Sequence, residues 1–231
     1  MEIFTERKSG IFLEKFGFNV VKSFYVQDKS QIKQAIEKIG FPCVVKVFGE
    51  KIIHKKRLGG VALNIKNSEE VETIFEKFKK IKDAEGIVIQ REIEGGIPWA
   101  YTQKGHENLQ VGLDKSFSKI STRGNEFLIG VQKTADFGHV VAFGIGGSDV
   151  EKLGKINFRV CPFDEKDALE LVEENFKNLS YDEKKILINV LIKICSLIKK
   201  FSNIKELDIN PLVIHENKSI ILDSRIVFEI K

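Results

Sequence analysis

The sequence is short of the groups that announce the commoner kinds of chemistry. Its three cysteines, Cys43, Cys161 and Cys195, lie far apart and make no C-x-x-C pair. That spacing argues against a disulfide framework or a zinc site and favours buried thiols of a reducing compartment. There is no H-E-x-x-H pair, no Ser/His/Asp series, no aromatic RNA-binding motif, and neither a G-x-G-x-x-G nor a G-K-[ST] spacing. One-sided charge is also missing: the net charge is +4, with 37 Lys+Arg against 33 Asp+Glu and no basic block. Neither nucleic acid nor an anionic membrane is implied, while a small anionic ligand such as a nucleotide is compatible. Long apolar runs are absent too. The start MEIFTERKSG has no signal core, and the most apolar stretch, Ile186 to Ile198, is interrupted by Asn189 and Lys193. The expectation is a soluble, cytoplasmic protein.

What is present is enough apolar residue, 42% of 231, to build a sizeable core. Residues 5 to 16 have helical spacing and stop at Gly17. Residues 19 to 26 are β-rich, and Asp28 suits the cap of a helix ending at Gly40. Val44 to Phe48 reads as a buried strand and Val61 to Lys66 as another. Asn67 with Glu70 then forms a capping-box pattern for a helix burying Val71, Ile74, Phe75 and Phe78. Gly86 to Ile93 opens a second part. Residues 97 to 123 show no helical period and read as an excursion. Beyond them, Glu126 to Lys133 and His139 to Phe143 read as paired strands, Asp164 caps a helix, and Asp182 starts a strongly apolar helix ending near Phe201. With no internal repeat, the pattern is α/β (α+β), with two parts dividing at residues 85/86 and a cleft between them.

The last thirty residues carry the most specific geometry. Two β-branched runs, Leu212 to Ile214 and Ile220 to Leu222, flank His215 to Ser219 and predict a hairpin. A turn centred on Glu216-Asn217 makes paired positions sum to 433, which sets Asn210 opposite Asp223, with Asp208 on the same face. Two readings of these oxygens stand: a cation site, or a strand end preparing the turn at Pro211.

Other stretches carry similar pairs of readings. Lys46 lies among apolar neighbours and either meets an anion or faces solvent from a half-exposed strand. In the loop GEKIIHKKRLGG, His54, Lys55, Lys56, Arg57 and the Gly59-Gly60 amides either bind phosphoryl oxygens or form an ordinary basic surface. Gly144 to Gly147 either lets backbone approach an anion or makes a plain turn. Glu126 and Arg159 gain no role from spacing.

Taken together, residues 41–71, 86–93, 125–163 and 205–228 resemble the ATP-grasp β subunit of ADP-forming acyl-CoA synthetases, and more distantly the β subunit of succinyl-CoA synthetase. The I-H-K…G-G-V and E-L-D-I-N-P-L blocks carry the likeness. The resemblance implies an ATP-grasp fold of two α/β subdomains, 1–85 and 86–231, with the nucleotide in the cleft and 97–123 as an atypical insertion. It implies Lys46 at the nucleotide phosphates, Gln90, Glu92 and Ile93 at the adenine hinge, and Glu126 near the nucleotide. Gly146, Gly147 and Arg159 fall on recurrent family positions of the cofactor site. Asn210 and Asp223 are implied as Mg2+ ligands with Asp208 in support, and His54 as the histidine that relays the phosphoryl group. The implied substrates are ADP/ATP and phosphate, and the implied partner is a CoA-binding α subunit in an α2β2 assembly. The alternative is a regulatory nucleotide-binding module that does not turn over; retention of His54, Asn210 and Asp223 favours catalysis.

Overall fold

The computed structural model describes residues 1–52, 55–93, 126–147 and 156–230. In chain order its elements are β1 (Glu2–Phe4), α1 (Glu6–Lys15), β2 (Ser23–Val26), α2 (Ile32–Ile39), β3 (Cys43–Phe48), β4 (Val61–Ile65), α3 (Ser68–Phe78), β5 (Gly86–Arg91), β6 (Phe127–Thr134), β7 (Gly138–Ile145), β8 (Ile156–Val160), α4 (Glu165–Asn175), α5 (Tyr181–Lys200), β9 (Ile204–His215), β10 (Lys218–Ile221) and β11 (Ser224–Phe228). They form two compact units: Val21–Ile93, and Met1–Val20 together with Glu94–Lys231.

The Val21–Ile93 unit is a four-stranded antiparallel sheet in the order β2-β5-β3-β4. Alternation along β3 and β5 sends Cys43, Val45, Val47, Ile87 and Ile89 into one core with Ile32, Ala35, Val71, Ile74 and Phe75 of α2 and α3. The same alternation puts Lys46 and Gln90 on the opposite face. Local chemistry starts each helix where the sequence predicts. Asp28 caps a short 3-10 turn that runs into α2, and Asn67 accepts the Glu70 N–H at 3.0 Å. Glu70 returns its carboxylate to the Lys66 N–H and the Asn67 amide.

The larger unit holds, among the described residues, a seven-stranded sheet ordered β1-β11-β9-β6-β7-β8, with β10 paired to β9. Phe127, Ile129, Val141, Phe143, Leu207 and Ile209 face Leu171 of α4 and Leu187, Leu191 and Ile194 of α5. Removing one such fully buried side chain, as in Leu191→Ala, costs about 2–5 kcal/mol. No helix among the described residues is long and apolar enough to cross a membrane.

Several expectations change. The division at 85/86 is replaced by one at 93/94, because β5 lies between β2 and β3 and cannot leave their sheet. Residues 1–20 join the carboxy-terminal segment: β1 pairs β11, and the rings of Phe4 and Phe12 lie 4.9 and 5.5 Å from that of Phe228. Helix α5 is capped by Ser180, whose hydroxyl accepts the Glu183 N–H, and not by Asp182. Cys161 and Cys195, 34 positions apart in sequence, have thiols in contact; this contact raises the first above its ordinary pKa and lowers the second. The 97–123 excursion lies outside the described residues.

Candidate functional site

The hairpin forms in the expected register. Lys218 pairs with His215 and Ile221 with Leu212, and Glu216 and Asn217, at φ 48° and 57°, make the tight turn between them. The register continues without slip through Leu222 and Asp223 into β11, so Ser224 pairs Ile209 and Arg225 pairs Asp208. Asn210 donates its N–H to the Asp223 carbonyl at 3.2 Å. Because Leu207 and Ile209 face the helices, Asp208 and Asn210 take the other side of the sheet.

Electrostatics marks the same place. The Asp208 carboxyl is pushed up to about 6, first by crowding from surrounding protein and then by the Asp223 charge, with Arg225 opposing. Asp208 is nevertheless exposed by surface area, so water screens part of the crowding, while the Asp223 charge stays beside it.

Gly146 and Gly147 come to this place from the end of β7. The Gly146 N–H donates to the Glu126 carbonyl at 2.7 Å, and a Cβ there would sit 2.6 Å from the Phe127 backbone. Gly147 has φ +94°, and a Cβ on it would run into the Glu126 carboxylate. Its N–H donates to Asn210 Oδ1 at 2.8 Å, and Asn210 Nδ2 reaches the Gly147 carbonyl at 3.5 Å. Glu126, itself buried, is therefore linked through the glycine turn to Asn210 and so to Asp223.

In the smaller unit, buried Lys46 and buried Gln90 share the sheet face opposite the helices. Gln90 donates Nε2 to the Ser23 hydroxyl at 3.0 Å, Glu92 accepts the Asn64 N–H at 3.1 Å, and Ile93 ends the unit. His54 lies outside the described residues.

Three sequence readings are corrected. The Gly59 and Gly60 amides donate to the Lys56 and Lys55 carbonyls at 2.9 Å, so these bonds close the loop on itself and occupy the donors expected for phosphate. The Gly146 and Gly147 amides are likewise engaged, by Glu126 and Asn210. Arg159 pairs with Val141 in the sheet, on the helix side, and its guanidinium holds Glu174 of α4 at 2.6 Å. It ties β8 to α4 and does not join the Asp208 face. Sequence reasoning also passed over Arg225, although the sum of 433 that sets Asn210 opposite Asp223 sets Arg225 opposite Asp208.

Comparison with known proteins decides the family, since residues 1–228 match the ATP-grasp domain. The chain belongs to the ATP-grasp family. Among relatives of this ATP-grasp chain, ADP-forming acetate–CoA ligase II of Archaeoglobus fulgidus is 33% identical over 96% of the chain, which spans only 30% of that protein. The β subunit of ADP-forming acetate–CoA ligase I of Pyrococcus furiosus is 29% identical, over 93% of the chain and 87% of the subunit. Acetyl-coenzyme A synthetase 1 of Ca. Korarchaeum cryptofilum, solved with coenzyme A and Ca-AMPCP, shares the fold at TM-score 0.76 and 23% identity, over 99% of this chain and 94% of that one. The same synthetase has been solved with coenzyme A and Mg-AMPPCP, its phosphohistidine segment pointing towards the nucleotide binding site.

The chemistry of the side chains at this place suits a hard divalent cation. Asp208, Asp223 and Asn210 each present oxygen as a ligand atom, and the Asp223 charge, which adds to burial in raising Asp208, is what a cation relieves. Among the described residues no three His, Cys, Asp or Glu side chains cluster as metal ligands, so the carboxylates alone do not make up a cation site. Asn210 Oδ1 has a second lone pair beyond the one that takes the Gly147 N–H.

Proposed function

We propose that this chain is the nucleotide-binding β subunit of an ADP-forming acyl-CoA synthetase, acting on acetyl-CoA or a related acyl-CoA. It would work with a CoA-binding α subunit in an α2β2 assembly in the cytoplasm. The overall reaction is acyl-CoA + ADP + phosphate ⇌ acid + CoA + ATP. The observation that carries this reading is the run of contacts from Glu126 through Gly147 and Asn210 to Asp223. It lies in a chain that spans 87% of a β subunit of that enzyme class.

The chain's own residues act mainly by placing charge. Lys46, buried on the sheet face opposite the helices of its unit, supplies a cation for the nucleotide phosphates, which lose their hydration on binding. Gln90, Glu92 and Ile93 line the rim proposed for adenine. In the larger unit, Asp208, Asp223 and Asn210 would hold Mg2+, which when bound neutralises phosphate charge. The glycine turn fixes Asn210 by its peptide and keeps Glu126 beside it. His54 is proposed to accept the travelling phosphoryl group and release it to ADP; its neighbours Lys55, Lys56 and Arg57 stabilise that charge without acting as bases.

The test mixes the purified chain with a CoA-binding α subunit, Mg2+, ADP, phosphate and acetyl-CoA, and follows ATP. ATP formation that requires both chains is the expected result. Tight ADP binding without ATP, over a panel of acyl-CoA substrates, would sink the catalytic reading in favour of the regulatory module.

A further inference from the structure

Two hydroxyls lie in the core of the larger unit, at residues no motif singled out. Ser9 of α1 has no exposed surface and Ser224 of β11 is 5% exposed, and 215 positions separate them in the chain. Ser9 Oγ lies 2.7 Å from the Ser224 carbonyl oxygen, 2.8 Å from Ser224 Oγ and 3.1 Å from the Glu6 carbonyl. A serine hydroxyl carries one proton, and the shortest contact to a pure acceptor takes it. Ser9 therefore donates to the Ser224 carbonyl, and the remaining hydroxyl contact is donated by Ser224 to Ser9. Backbone and side chain of Ser224 are both held from α1.

Such a pair is a poor way to gain stability. Two hydroxyls in a dry core lose their water, and replacing both by apolar groups of the same shape is close to neutral. What the pair does provide is direction, since hydrogen bonds fix a backbone position that apolar contact leaves free to slide. The residue fixed is the neighbour of Asp223. Asp223 lies outside the strands, in the link between β10 and β11, and on its other side Leu222 donates its N–H to the Pro211 carbonyl at 2.9 Å.

We propose that the Ser9–Ser224 hydroxyl pair is a positioning device for Asp223, by which α1 grips β11 one residue beyond that carboxylate and holds it opposite Asn210 for a divalent cation. The inference rests on the cation reading of Asp223. It gives the amino-terminal helix a part in nucleotide chemistry through residues that touch no substrate.

The probe is Mn2+ binding to the full chain with ADP, read from the electron paramagnetic resonance of free Mn2+, beside metal-free ADP affinity and the melting temperature. Ser9→Ala/Ser224→Ala is expected to weaken Mn2+ binding about ten-fold or more, the usual effect of removing a group that orients a metal ligand. Metal-free ADP affinity should be unchanged. Val190→Ala, a core truncation in α5, should lower the melting temperature and leave Mn2+ affinity alone. Unchanged Mn2+ affinity in the double variant overturns the proposal. So does an equal loss in Val190→Ala, which would mark general softening. Asp223→Asn separates the two readings: if it leaves Mn2+ affinity unchanged, the cation reading fails and takes this inference with it, whereas a loss there without one in the double variant defeats the positioning role alone.

Discussion

At Gly147 the site depends on the absence of a side chain. Its φ of +94° is one that L-residues rarely adopt, and a Cβ would meet the Glu126 carboxylate. Gly147→Ala should therefore shift both Glu126 and the peptide that Asn210 holds, and weaken ADP binding about ten-fold by calorimetry. Gly138→Ala, also at positive φ but facing open space, is expected to cost about 1 kcal/mol in strain and to leave ADP binding intact. Asp208 gives a pH test. Folded, its carboxyl keeps a proton up to about pH 6, against an ordinary value of 3.8. Between those values the folded state holds a proton that the unfolded chain has released, so its contribution to stability falls as pH rises through that window. In chelator, Asp208→Asn should melt higher than the parent at pH 7.5 and match it near pH 3.5; adding Mg2+ and ADP should raise only the parent. Equal melting at pH 7.5 would remove the strain assigned to Asp208. Asp208, Asn210 and Asp223 were legible in the sequence because a two-residue period and a turn fix who faces whom. Arg159 was not, because spacing says nothing of which face of a sheet the helices cover.

At the scale of elements, turns and caps were readable wherever one side chain decides them. The exception is α5, where two acidic residues in the first turn, Asp182 and Glu183, hid the hydroxyl that caps it. Ser180→Ala should lower stability by about 1 kcal/mol and Asp182→Ala by a few tenths, measured by urea denaturation; the reverse order would restore the sequence reading. Strands β1 and β8 gave no usable signal. The first has only Glu2–Phe4, and the second exposes Phe158 and Val160, which blurs the alternation. The β9–β10 turn carries a longer consequence. Since one register runs from Lys218–His215 to Val227–Glu206, deleting Asn217 should offset every pair beyond it by one residue and move Asn210 off Asp223. The expected outcome is a folded protein that binds ADP with no response to Mg2+; a preserved Mg2+ response would show that β11 is placed by its own packing.

For the whole molecule, the informative fact is that one unit is continuous in sequence and the other is not. A fragment of residues 21–93 contains its own sheet, helices and core, and is expected to give a dispersed amide spectrum by NMR. Residues 94–231 alone lack β1, α1 and the rings that pack on Phe228 and Phe201, and should fold only when residues 1–20 are supplied in trans. A folded 94–231 fragment would mean that the amino-terminal segment is an accessory. This division was hidden from the sequence because a cut suggested by composition cannot show that a segment at one end pairs with a strand at the other. It also sets an order for biosynthesis. Strand β1 leaves the ribosome well before its partner β11, which is made more than 200 residues later, at roughly 5–20 residues per second an interval of tens of seconds. Through that interval the first twenty residues, with the apolar side chains Phe4, Phe12, Leu13 and Phe16, have no sheet to join, while the unit that follows them can already close. The nascent chain thus offers a short, phenylalanine-rich handle to ribosome-associated chaperones, and the site at Asp223 is assembled only after the Val21–Ile93 unit is able to close.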